Sequence, residues 1–362
     1  MKRGVSQGAL SLALLLGGVN AACGPAPAAP AALAPEPSTG AAPAQVWSAK
    51  AGRRYTGRVV VAGETVYAGS VDRKVYAVDL ASGQMRWSSR LGGIIGGGVL
   101  VAGDTVYAAS GRPEGKLYAL DGQTGRRLWR ARTGTVSAPL ALVHGVVVAG
   151  TQRGELVALD ADGSIRWRRA AGFARIPAVE ADSGTLVVAT IDSLFRLGAA
   201  DGRIIRRSRT PGAIVSPWLT YGGLLVAGTA DSAVVAVDPR DLQTRWRVRL
   251  DAPVLGTPAA LGDTLFAASR RGTLYRILGG AGASVPTATP IAELRWAVTS
   301  SVTVLDGLVL LGGADGTLRA LRPDGTEAWR LRLRWPVELG PIPLDDGMLA
   351  IGGDGDLHRY RR

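Results

Sequence analysis

The sequence predicts an all-β chain folded as an eight-bladed β-propeller of four-stranded blades, closed by pairing its first and last strands. Three observations carry that expectation. The tract Tyr76–Trp87, YAVDLASGQMRW, returns as Tyr118–Trp129, YALDGQTGRRLW, and again in weaker copies about 40 residues apart. A second tract, an apolar strand ending in small residues, occurs eight times, from VYAGS at 66–70 to LAIGG at 349–353. The two ends are complementary: the last unit stops three strands after Gly340, and the segment from Gln45 to Lys50 reads as a lone strand. A unit of about 40 residues with four short strands cannot bury its apolar faces alone, so copies must stack, and closing the ring removes exposed sheet edges.

Residues 1–22 read as an export signal. Lys2 and Arg3 form the charged start, and Ala9 to Val19 an apolar run too short to span a bilayer. Cys23 is the only cysteine, so no intrachain disulfide can form and stability must come from packing. Residues 23–44 are proline- and alanine-rich and read as a linker, reaching roughly 65 Å if extended as polyproline II. Residues 45–362 carry the repeats.

Each repeat has the form Ala-x-Asp, a turn with Gly, then Trp. The Asp can bond the backbone of the turn it begins, Gly can take positive φ there, and Trp is a flat apolar plate that a neighbouring copy must cover. Asp79, Gly83 and Trp87 match in full, as do Asp121, Gly125 and Trp129. Asp160, Gly163 and Trp167 form a copy one residue shorter. Asp238 and Trp246 flank a turn with Leu242 in place of Gly. Gly325 and Trp329 follow Arg322 where Asp is expected. Trp47 and Trp296 are assigned to the remaining copies, and Arg206 stands where blade four should have its Trp.

This tract resembles the pyrroloquinoline-quinone-type repeat, also called the tryptophan-docking motif. The small pair Ala21-Ala22 before Cys23 resembles the bacterial lipobox, with Asn20 in place of its usual Leu. The resemblance implies a lipidated Cys23 in the outer membrane, because Gly24 is not the Asp associated with inner-membrane retention. The whole plan is similar to the outer-membrane β-barrel assembly lipoproteins, which are non-catalytic scaffolds. It implies envelope-protein partners, among them an outer-membrane barrel assembly protein, and a propeller held in the periplasm. Two alternatives share the repeat or the setting: a quinoprotein-like enzyme or sensor, and a periplasmic module binding glycans or envelope polymers.

The residues favour the scaffold. The repeat Asp residues recur at one equivalent position, which suits turns, whereas a catalytic acid should be unique to one blade. His144 starts a hairpin turn and His358 lies on the last strand, too far apart in pattern for a metal site. No nucleophile elbow, phosphate-binding loop or dinucleotide fingerprint occurs. No catalytic residue, cofactor or metal is therefore expected. Formal net charge is +13, nearly all from Arg, without a Lys/Arg block or interleaved aromatics. Nucleic acid is not expected as a partner, membrane contact is expected through the lipid anchor only, and the propeller should be monomeric.

Blade four breaks the pattern with FRLGAADGRIIRR. The loop leading into it, RRAAGFAR, sets Arg168, Arg169 and Arg175 around Phe173. Phe173 and Arg175 are the candidate partner contacts on chemical grounds, since Arg beside an aromatic is the composition of interface hot spots. Gly279 to Leu294 reads as a long loop of blade six and a second candidate. Trp335 is open to a place in the core or on the rim.

Overall fold

The computed structural model describes residues 41–362, except 56, 112–113, 137, 172–177, 183, 191 and 281–284. Cys23 and the partner candidates Phe173 and Arg175 lie outside the described residues. Eight four-stranded antiparallel sheets follow one another around a ring. Seven are sequential meanders. The eighth joins Ile342–Leu344, Gly347–Ile351 and Asp356–Arg361 to Ala44–Lys50 from the other end of the chain. In that closing pair Lys50 lies opposite Asp356, and Ala44 opposite Arg361.

The strands of a blade differ in burial for a simple reason. The second and third are covered by blades on both sides and are buried almost throughout, as in Thr65–Gly69 and Lys74–Asp79. Residue size there is limited by neighbours: a Cβ on Gly69 would lie 2.3 Å from Ile95 of the following blade, and one on Gly312 2.4 Å from Val337. This crowding accounts for the small residues that end each second strand. The Ser or Thr after them closes the next turn. Thr229 Oγ1 accepts from the Ala233 amide at 3.0 Å and donates to the Ala233 carbonyl at 3.1 Å. Ser110 and Thr190 do the same in their blades.

Gly279 to Leu294 is not a long loop. Thr287–Glu293 is the outer strand of blade six, paired with Thr273–Leu278. Its Thr/Pro/Ala composition hid a strand because an outer strand is wet on one edge and need not alternate cleanly.

Candidate functional site

The outer strands and the turns they meet form a docking ring. Trp47, Trp87, Trp129 and Trp167 each donate their indole N–H to a carbonyl in the turn of the next blade: Leu80 at 2.9 Å, Gly122 at 2.9 Å, Ala161 at 2.7 Å and Ala199 at 2.9 Å. Each plate lies on that turn's glycine. A Cβ at Gly83, Gly125, Gly163 or Gly202 would stand 2.5–2.7 Å from the ring of the respective Trp. Gly125 also has φ of 69°, so both the backbone and the plate require it. Trp246 bonds the Gly280 carbonyl at 2.9 Å in the same manner. Trp87, Trp167, Trp246 and Trp329 are buried, while Trp47 and Trp129 are half-buried. The neighbouring blade thus covers Trp129 less completely than Trp87.

Trp296 does not belong to this ring. In blade one Trp87 pairs with Ala77, and at the matching place in blade six Thr289 pairs with Arg276. Trp296 lies past the outer strand, in the connector to blade seven, with the Arg319 guanidinium stacked 4.0 Å above its ring. The turn glycine of blade seven, Gly325, meets the backbone of Ile291 instead of a Trp. The sequence placed Trp296 in the series by spacing alone, although it comes 50 residues after Trp246.

The break between blades four and five is coupled across the interface. Arg206 pairs with Arg196, the register position of the docking Trp, and is exposed. The turn it faces has Leu242, buried at φ 57°, where glycine would receive a Trp. Arg196 Nη1 donates to the Arg240 carbonyl at 2.8 Å, one residue past the turn position whose carbonyl an indole reaches elsewhere. Plate and glycine have been lost together, and a guanidinium now bonds the neighbouring carbonyl of the turn.

The repeat acids act on turns, with one exchange. Asp79 Oδ1 accepts from the Ser82 amide and Asp121 Oδ1 from the Thr124 amide, both at 2.8 Å, and Asp238 Oδ1 accepts from the Arg240 amide at 2.9 Å. Hydrogen bonds from Arg86 and Ser82 hold Asp79 well below the usual carboxylate range. In the shorter turn Asp160 binds Arg166 instead, and Asp162 caps the turn at Ser164. Asp324 caps likewise at Thr326, so the Arg322 substitution leaves that turn capped.

His144 sits at φ 48° in its hairpin. His358 is half-buried, its Nδ1 has no hydrogen-bond partner among the described residues, and burial lowers its pKa. Among the described residues no group of three His, Cys, Asp or Glu is placed to hold a metal ion. Trp335 is 43% exposed and lies on the rim, while Trp218 is buried.

The class is therefore an eight-bladed propeller held together by tryptophan-docking repeats. A family model described as "Outer membrane protein assembly factor BamB" matches residues 36–178, 161–293 and 230–357, and the chain belongs to this family. Among solved structures it is similar to BamB from Moraxella catarrhalis, with a TM-score of 0.75 and 18% identity over 89% of this chain and 100% of that one. It is also similar to the computationally designed Ika8 protein, with a TM-score of 0.72 and 16% identity over 86% of this chain and 98% of that one. At such identities the likeness is one of fold. Comparison with the curated proteins finds no significant sequence match.

Proposed function

We propose that this protein is a lipid-anchored scaffold of the cell envelope that binds other proteins and serves outer-membrane protein assembly in a BamB-like role. The observation that carries the reading is the family match, which runs through all eight blades. The sequence before the blades suits it. An apolar export segment ends at a lone cysteine, Cys23, and a proline-rich stretch follows. Lipidation there would tether the propeller on the periplasmic side of the outer membrane. The repeat acids suit binding better than catalysis, because they cap turns or neutralise arginines. The partner is an envelope protein, in the first place an outer-membrane barrel assembly protein. It docks across the rim between blades three and four, at the segment that includes Phe173 and Arg175.

The test is binding between the purified chain and a barrel assembly protein from the same envelope. Replacing Phe173 and Arg175 together with Ala should weaken binding by at least about 2 kcal/mol and leave the unfolding midpoint unchanged. Binding retained in the double variant places the interface elsewhere. Stoichiometric binding of pyrroloquinoline quinone would favour the quinoprotein reading instead.

A further inference from the structure

In the sequence the arginines look scattered. The fold gathers them, because the residues after each docking position fall on the outer strands of successive blades. On blades two, three and four these are Arg127–Arg132, Ile165–Ala170 and Ile204–Arg209. Arg127, Arg130, Arg132, Arg203, Arg206 and Arg209 are all exposed, and none has a carboxylate within ion-pair distance among the described residues. The rest of the ring differs. On blade one Arg86 is held by Asp79 and only Arg90 is left; on blade five Arg245 and Arg247 are held by Asp238, Asp241 and Asp231 and only Arg249 is left; blade six has no arginine in its outer strand; and on blade seven Arg330 is held by Glu327 and only Arg332 is left, all counted among the described residues. Uncompensated positive charge is therefore concentrated on one arc.

The same arc exposes aliphatic side chains. Leu128, Ile165, Ile204 and Ile205 are between 42% and 56% exposed. The strand Ile204–Arg209 buries no residue at all, since Arg206 has replaced the plate. Between blades two and three the arc opens a recess of about 1020 Å³. Lys116 and Arg168 in it are paired with Glu114 and Glu155, while Arg132 and Arg153 have no ion pair among the described residues.

We propose that the outer arc of blades two to four binds an anionic membrane surface, its arginines pairing with lipid phosphates and its aliphatic side chains entering the headgroup layer. Guanidinium groups match phosphate oxygens bidentately, and basic residues interleaved with exposed aliphatics are the composition of surfaces that lie on anionic bilayers. The inference does not depend on the lipid anchor. It adds a second, reversible membrane contact that would fix how the propeller lies once it is near a bilayer.

The experiment uses the full chain carrying Cys23→Ser, so that acylation does not contribute. Binding to vesicles of phosphatidylethanolamine and phosphatidylglycerol is compared with binding to phosphatidylcholine vesicles by co-sedimentation, at low and high salt. The anionic vesicles should be preferred, and salt should abolish the preference. A triple variant, Arg130→Gln, Arg206→Gln and Arg209→Gln, should bind them about a hundredfold more weakly, at about fivefold per arginine. The same three positions changed to Lys should retain most of the binding. A charge-matched control on the far arc, Arg271→Gln, Arg295→Gln and Arg332→Gln, should bind like the parent chain. Equal affinity for both vesicle types overturns the proposal, as does equal loss in the two Gln variants. If vesicles do not discriminate but capture of an acidic envelope protein is lost in the first variant, the arc meets a protein and the membrane proposal fails.

Discussion

Replacing Trp87 with Ala tests the docking ring at its best-formed joint. The indole is 8% exposed. It packs on Gly125 of blade two and beside Tyr67 at a ring separation of 5.9 Å. It also donates to the Gly122 carbonyl at 2.9 Å. Truncating such a plate costs about 3–5 kcal/mol through lost burial and the cavity left behind. The hydrogen bond adds little to this, because Tyr67 Oη also donates to the Gly122 carbonyl, at 3.1 Å, and keeps it satisfied. Trp87→Phe, which retains most of the plate, should therefore cost only about 1 kcal/mol beyond its smaller area. The assay is urea unfolding followed by far-ultraviolet circular dichroism. With a slope near 3 kcal/mol/M, Trp87→Ala should lower the midpoint by about 1 M or more. A midpoint equal to that of the parent chain would refute the packing argument. Equal losses for Ala and Phe would show that the hydrogen bond, not the plate, holds the joint.

Three further outcomes follow from the same geometry. Arg206→Trp should destabilise by about 1–3 kcal/mol through overpacking against Leu242, and combining it with Leu242→Gly should recover at least about 1 kcal/mol of coupling in a double-mutant cycle; additive losses would contradict the coupled break. Burial lowers the pKa of His358 against the pull of Asp356 and Asp354, so around and below its ordinary pKa of about 6.5 the unfolded chain binds the proton more readily than the folded one. Stability should thus be fully present above that pH and fall as pH drops towards the lowered folded value, and His358→Gln should flatten the fall between pH 7.5 and 5.5; an unchanged slope would contradict the assignment. Cys23→Ser should move the exported protein from the membrane to the soluble fraction, and a parent chain that is itself soluble after export would exclude the anchor.

Much of the fold is legible because its causes are local and repeated. Gly83, Gly125 and Gly163 recur because a turn needs them and a plate lies on them, so the same three residue types return at fixed spacing. The closing strand is legible from arithmetic, since Trp47 has no blade of its own until the last three strands supply one. What escapes is register and what only the ring brings together. Spacing made Trp296 a docking plate, whereas pairing puts Thr289 in that place. Asp160 looked like the turn acid, but a turn shortened by one residue passes the role to Asp162. The coupled loss at Arg206 and Leu242 was visible as two separate lapses 36 residues apart, and only the stacking of blade four on blade five joins them. The arginine arc escaped for a related reason: Arg130, Arg169 and Arg206 are distant in sequence, yet each lies on the outer strand of the next blade.

The scaffold reading is tested most directly by capturing the full-length protein from native envelope in mild detergent and identifying what stays bound after stringent washing. The account expects an outer-membrane barrel assembly protein at near-stoichiometric amounts. Capture of the propeller with no such protein, from membranes in which that protein is abundant, would contradict it.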